Sequence, residues 1–133
     1  MISAVLVGIF GISGALLRFA TDSWFAHHSS QRTVRPGLSE DRLHWPWATL
    51  VVNVAGSFVI GISYGLTAQL GLGHEWSIGL ATGFAGGLTT FSSWTTATVR
   101  LLGEARFGAA AMNIAVNLVL GLGAAAAGIA LVS

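Results

Sequence analysis

GGLTTFSSWTT, residues 86–96, lies in the middle of an otherwise apolar segment and decides how the whole chain is read. Two adjacent glycines weaken a helix, and after them come Thr89, Thr90, Ser92, Ser93, Thr95, Thr96 and Thr98, interrupted by the rings of Phe91 and Trp94. A helix turned to lipid has no use for so many hydroxyls. In hydrocarbon each unpaired backbone N–H or C=O costs several kcal/mol, so helix-breaking residues at membrane depth belong where protein or a water-filled path satisfies them. The stretch therefore predicts a broken helix facing the inside of an assembly. Broken helices of this kind bring half-helix ends, with their partial charges, to ion sites.

The rest of the chain supplies the membrane character. Of its 133 residues, 53% are hydrophobic and 8% charged, with a mean hydropathy of +0.74, whereas an ordinary soluble domain carries roughly 25% charged residues. This length holds about four spans of roughly 20 residues and leaves no room for a separate soluble catalytic domain. Four short helices enclose little of a path alone, which favours an oligomer. With no cysteine, disulfides and thiolate chemistry are excluded. A net charge of +1, with six basic residues that are all arginine, provides no basic patch of the kind nucleic acid requires. No nucleophile–base pair or catalytic metal set appears, so an enzyme is not expected.

Hydropathy and punctuation divide the chain into one four-helix transmembrane domain over residues 1–133, with spans at 2–25, 47–70, 77–102 and 107–132. The first run lacks the positive start of a cleaved signal peptide and reads as a retained helix. Between His27 and Pro46 the chain turns polar, with Pro36-Gly37 as a turn and Ser39 as the cap of a short helix through His44. Trp45 and Trp47 suit an interfacial aromatic belt. Gly79, Gly83 and Gly87 recur every four residues, a small-residue ladder that lets a neighbouring helix approach closely.

All five acidic residues, Asp22, Glu40, Asp41, Glu75 and Glu104, fall in loops or at helix ends. A proton-coupled transporter needs an ionisable group inside the membrane, and no carboxylate is available there. The equipment at depth is instead neutral and rich in donors: Asn53 in span two, Asn113 and Asn117 one turn apart in span four, and the hydroxyl cluster, with Arg18 as the formal charge that can reach them. Such a lining favours a small anion moving passively, because amide N–H and hydroxyl groups replace its water shell. Each residue alone also has a plainer reading. Phe91 and Trp94, three apart, fit packing as well as a ring-edge contact to an anion. Arg18 fits a snorkelling anchor, and the asparagines fit helix–helix hydrogen bonds. His27-His28 has no third ligand nearby and reads as a loop pair.

Three motifs resemble the Fluc or CrcB fluoride channels: GALLRF at Gly14–Phe19, TLVVNVAGSFVIG at Thr49–Gly61 and GFAGGLTTFSSW at Gly83–Trp94. They fall in three separate spans, so the likeness covers nearly the whole chain. The resemblance implies a fold class: an all-α membrane protein of four transmembrane helices with a break in the third, paired as an antiparallel, dual-topology-type dimer with two narrow fluoride pathways. It implies a fluoride-specific channel that passively exports cytoplasmic fluoride across the plasma or inner membrane, which the chain crosses several times, and so relieves fluoride toxicity. It also implies that the backbone carbonyls of Gly86 and Thr89 hold a structural sodium ion at the dimer centre. Asn53 matches the pore asparagine, Arg18 an arginine at a pathway mouth, and Phe91 the first of two lining phenylalanines, with Ser92 and Ser93 beside it. Two positions depart from the pattern. Trp94 stands where the family has its second phenylalanine, and Asn113 and Asn117 stand where span four commonly offers tyrosine and serine hydroxyls.

The arginines add an expectation of their own. Arg32, Arg35 and Arg42 lie in loop one and Arg100 and Arg106 around loop three, with none in loop two or at the C-terminus. The positive-inside tendency puts loops one and three in the cytoplasm. The partner is then either a second copy or, as this bias favours, a related subunit of opposite orientation. Two other classes fit the length and composition: a small multidrug-type four-helix exporter, and a non-conducting membrane assembly subunit in which the polar stripe only joins helices.

Overall fold

The computed structural model describes residues 1–32, 45–71 and 73–132. Every regular element among them is helical: α1 (Ile2–Arg32), α2 (Trp47–Leu70), α3 (residues 74–88, in the pieces His74–Ile78, Gly79–Ala85 and Gly86–Leu88), α4 (Phe91–Gly103) and α5 (Phe107–Leu131). Three helices are long and apolar enough to cross a membrane: Ile2–His28 of α1, α2 and α5. The expected third span, 77–102, is two helices that begin at His74 and meet at Thr89 and Thr90. α1 continues past the expected end at residue 25, because nothing before Pro36 forces a helix to stop. His27 and His28 are consequently helical rather than a loop pair, with His28 Nδ1 3.0 Å from Trp24 O. The Pro36-Gly37 turn and the Ser39-capped helix lie outside the described residues.

Burial departs from that of a water-soluble domain, because polar side chains share the interior with Leu50, Val52, Ala85, Leu88, Leu101 and Ala110. Ile9, Ile12, Phe19, Val119 and Leu122 are exposed, while Thr49, Ser63, Thr90, Asn113 and Asn117 are buried. Apolar atoms outside and hydrogen-bonded polar atoms inside suit a solvent that is itself hydrocarbon.

Two close helix crossings set the frame. In the first, α1 lies along α3: a Cβ on Gly83 would sit 2.9 Å from Val7 O, one on Gly87 would meet Gly11 O, and one on Gly14 would meet Phe84 O. The stretch Gly79–Ala85 is wound as a π-helix. A strict four-residue repeat drifts about 40° per step around an α-helix. The wider π turns rotate less per residue, which holds Gly79, Gly83 and Gly87 on the one face that meets α1. In the second crossing α2 lies along α5, with Gly61 against Ala125 O and a Cβ on Gly128 only 2.5 Å from Phe58 O.

The helix ends follow ordinary capping. α2 ends on Gly71 in the left-handed region, φ 58°. α4 ends through Ala105 at φ 56°, where Ala105 N–H donates to Leu102 O and Arg106 N–H to Leu101 O. The start of α2 and the end of α4 lie at the same end of the bundle, where Trp45, Pro46, Thr96 and Arg100 line one cavity.

Candidate functional site

The site begins with a main-chain event. Thr89 (φ −74°, ψ 158°) and Thr90 (φ −146°, ψ 111°) are extended, and helical hydrogen bonding resumes at Phe91. The glycines at 86 and 87, expected to be the weak point, are themselves helical. What diverts the chain comes from another helix. Asn53 Oδ1 accepts from Thr90 N–H at 2.8 Å, taking the donor that Gly86 C=O would receive in a continuous helix. Thr90 then caps α4, its Oγ1 accepting from Ser93 N–H at 3.1 Å, which takes the donor that Thr89 C=O would receive. Thr89 O accepts instead from Arg18 Nη1 at 3.3 Å. Gly86 and Thr89, the two positions named by the resemblance, are thus among the carbonyls that lose their helical donors at the break.

A run of side-chain hydrogen bonds leads away from this point. Asn53 Nδ2 donates to Asn117 Oδ1 and to Thr90 O, both at 3.4 Å. Asn117 Nδ2 donates to Asn113 O at 2.9 Å and to Asn113 Oδ1 at 3.1 Å. Asn113 Nδ2 donates to Thr98 Oγ1 at 2.9 Å, and Thr98 Oγ1 donates to Trp94 O at 2.9 Å. The buried amides are thus satisfied, as a low-dielectric interior demands. Asn53 Nδ2 is the exception in degree, since both of its contacts are at the long limit of a hydrogen bond.

Beside this run lies a cavity of about 290 Å³, lined by Asn53, Thr89, Thr90, Phe91, Trp94 and Asn117 among others, with no ionisable side chain in the lining. The rings of Phe91 and Trp94 meet edge to face, 5.5 Å between centroids and 62° between planes. Trp94 does not spend its N–H on the cavity: Nε1 donates to Asn113 O at 3.3 Å, so the larger ring is tied back to α5. Ser92 and Ser93 face a second cavity of about 400 Å³, shared with Thr96 and Arg100 toward the loop-one end. Arg100 there is ion-paired with Glu104 at 3.7 Å. The start of α4, with its positive dipole end, lies between the two cavities.

Of the residues expected from the sequence, Asn53, Thr89, Phe91, Trp94 and Asn117 meet at one cavity, Ser92 and Ser93 at the next, and Arg18 on the Thr89 carbonyl. Asn113 is fully buried and lies outside both linings. Gly86 is exposed, on a face where an added Cβ would meet nothing within 4 Å. Thr90 and Thr98 were not singled out, although Thr90 is central. Its sequence signature is a threonine three residues ahead of Ser93 at the start of a helical pattern, a capping cue masked by the surrounding hydroxyls.

Residues 5–129 match the family described as CrcB-like protein, Camphor Resistance (CrcB). The chain is 45% identical over 127 residues to a protein of Renibacterium salmoninarum named Fluoride-specific ion channel FluC, covering 96% of both chains. Proteins of the same name from Pseudomonas putida F1 and Agrobacterium fabrum are 40% and 36% identical over 132 residues, covering 98% of this chain and 95% and 96% of theirs.

Proposed function

Since the chain belongs to the CrcB family, we propose that it is a fluoride-specific ion channel, an integral membrane protein and not an enzyme. The observation that carries the reading is the uncharged, donor-lined cavity where α3 gives way to α4. Fluoride is small and holds its water strongly, so a path for it must replace that water closely. Asn53 Nδ2, the hydroxyls of Ser92 and Ser93, the positive end of α4 and the ring edges of Phe91 and Trp94 are suited to this. Arg18 adds positive charge near the break. With no carboxylate or histidine in the lining to carry a coupled proton, transport is passive, and in a cell it exports fluoride across the inner or plasma membrane.

The subunit works as one half of an antiparallel dimer in which α3 and α4 together form a span broken within the bilayer. The exposed hydroxyls of Ser92, Ser93 and Thr96 support this, because an uncovered polar groove at bilayer depth is costly. The carbonyls of Gly86 and Thr89 suit a sodium ion: they are hard oxygen donors released from helical bonding, on a chain whose twofold mate would double their number. Sodium there neutralises carbonyl dipoles at the subunit junction and is not transported.

Purified protein in fluoride-loaded liposomes tests the reading with a fluoride electrode. Expected is rapid release down the fluoride gradient, independent of any proton gradient, with chloride retained. Release that requires a pH gradient would make the protein an exporter, and no release with its partner present would make it an assembly subunit. The same protein prepared in a large organic cation instead of sodium is expected to lose flux and regain it when sodium is restored.

The partner follows from charge. In the sequence Arg35 and Arg42 fall between α1 and α2, Arg32 closes α1, and Arg100 and Arg106 flank the α4–α5 link, while the stretch between α2 and α3 carries no arginine. Glu104 pairs with Arg100 and Arg106, but acidic residues weigh little in insertion. The chain therefore inserts mainly with loops one and three inside, and its antiparallel mate is a related subunit of opposite bias. Compartment-specific reporters fused to the C-terminus should read almost entirely outside; equal signal on both sides would mean a homodimer.

A further inference from the structure

Asn113 stands apart from the rest of the polar stripe, because it is wholly buried and yet touches neither cavity lining. Its bonds give it a different task. The run from Thr90 to Trp94 has fixed ends. Thr90 N–H can only donate, so Asn53 turns Oδ1 toward it at 2.8 Å. At the far side the Asn113 main-chain oxygen can only accept, so Asn117 must turn Nδ2 toward it at 2.9 Å, with Asn113 Oδ1 taking a further bond at 3.1 Å. Asn113 is itself oriented by Thr98, whose hydroxyl has given its hydrogen to Trp94 O and therefore accepts from Asn113 Nδ2.

The consequence reaches the cavity. Asn117 lines it, but its amide hydrogens are committed to Asn113 and its Oδ1 faces Asn53 Nδ2. An anion is repelled by a carbonyl oxygen and attracted by an N–H. Resting on the channel reading above, we propose that Asn113 is a positioning residue that, acting through Asn117, fixes Asn53 as the amide donor of the anion path. Polarisation along the run strengthens the effect, since each amide that donates at one end accepts more strongly at the other. Trp94 Nε1 shares the same Asn113 oxygen, so one peptide carbonyl orients both the second ring and the amide beside it.

Asn113→Leu keeps the branched shape of the side chain and the main-chain oxygen but removes Oδ1 and Nδ2, and with them the bonds to Asn117 and Thr98. In the liposome assay it should lower fluoride flux roughly three- to tenfold, the effect of the one bond lost to Asn117, and raise the half-saturating fluoride concentration. In an Asn117→Leu background the same change should alter flux by less than about twofold, because residues that act through one partner do not add. Losses that multiply would make Asn113 a packing residue only, and unchanged flux in the single variant would overturn the proposal. A second measurement is independent of flux. The side-chain amide resonances of Asn117 and Asn53, followed by nuclear magnetic resonance in detergent, should shift and exchange faster in Asn113→Leu. Unaltered resonances would refute the relay. A wild-type protein that passes no fluoride would refute the channel reading instead, leaving the resonances to decide the relay.

Discussion

Asn53→Leu should cut fluoride flux by about one to two orders of magnitude, the largest effect expected of any single cavity substitution, since a hydrogen bond to a charged species is worth roughly 1.5–3 kcal/mol. It removes the loosely held Nδ2 that faces the cavity and, at the same stroke, the Oδ1 that holds Thr90 N–H at 2.8 Å. Thr90 is buried, so its orphaned N–H would cost about 1–3 kcal/mol of stability in addition. The two roles separate with a second substitution. Asn53→Asp keeps an oxygen for Thr90 N–H, so any stability it loses comes from the second oxygen set against Asn117 Oδ1 and Thr90 O; it offers the path a carboxylate where it had a donor and should conduct no better than the leucine variant. Efflux from liposomes and thermal unfolding of the purified protein give the two readings. Flux in Asn53→Leu within about threefold of wild type, against the expectation from a lost charge-assisted bond, would remove Asn53 from the path.

That one residue both shapes the main chain and faces the cavity marks where the sequence is informative and where it is not. The apolar runs, their lengths and the density of hydroxyls from Thr89 to Thr98 are local properties, and they lead directly to a helical membrane protein with a polar interior. The interruption at Thr89 and Thr90 is not local. Glycine's helix penalty, about 1 kcal/mol per residue, points to Gly86 and Gly87. At Gly87 the absence of a side chain instead lets α3 lie against Gly11 and Ala15 of α1, while Gly86 faces open space, and the helix persists. The chain departs from helix where a side chain on α2 captures a backbone N–H, a contact between residues 37 apart that no periodicity reveals. The same holds for Asn113 and Asn117. Their spacing puts them on one helix face, but which amide donates and which accepts depends on Thr98, Trp94 and a main-chain oxygen. Trp94 also illustrates the limit: its extra N–H was legible as a departure, and its attachment to α5 was not.

The second large effect is expected far from the cavity, at Gly61. A methyl there would meet the main-chain oxygen of Ala125, and the carbon and Cα of the same residue at 3.0 and 3.1 Å. Main-chain atoms of a packed helix cannot turn aside as a flexible side chain does, so Gly61→Ala must push α2 and α5 apart. One turn along, Gly128 is equally confined: a Cβ added there would lie 2.5 Å from Phe58 O and 2.8 Å from Ile62 N. Overpacking of this kind costs about 1–3 kcal/mol and more when backbone is the obstacle; a fall of roughly 3 kcal/mol is a large share of a total stability of about 5–15 kcal/mol. Gly108→Ala is the matched control, because nothing lies within 4 Å of its Cβ position and alanine is the better helix former by about 1 kcal/mol. Unfolding of the two variants in mild detergent should therefore move in opposite directions. Function should follow the same crossing, since α2 carries Asn53 and α5 carries Asn117, and their contact is already at 3.4 Å. Any Gly61→Ala protein that survives purification should show the raised half-saturation expected of a loosened Asn53. Wild-type stability in that variant would mean that α2 and α5 do not cross at Gly61, and the alignment of the two asparagines would lose its support.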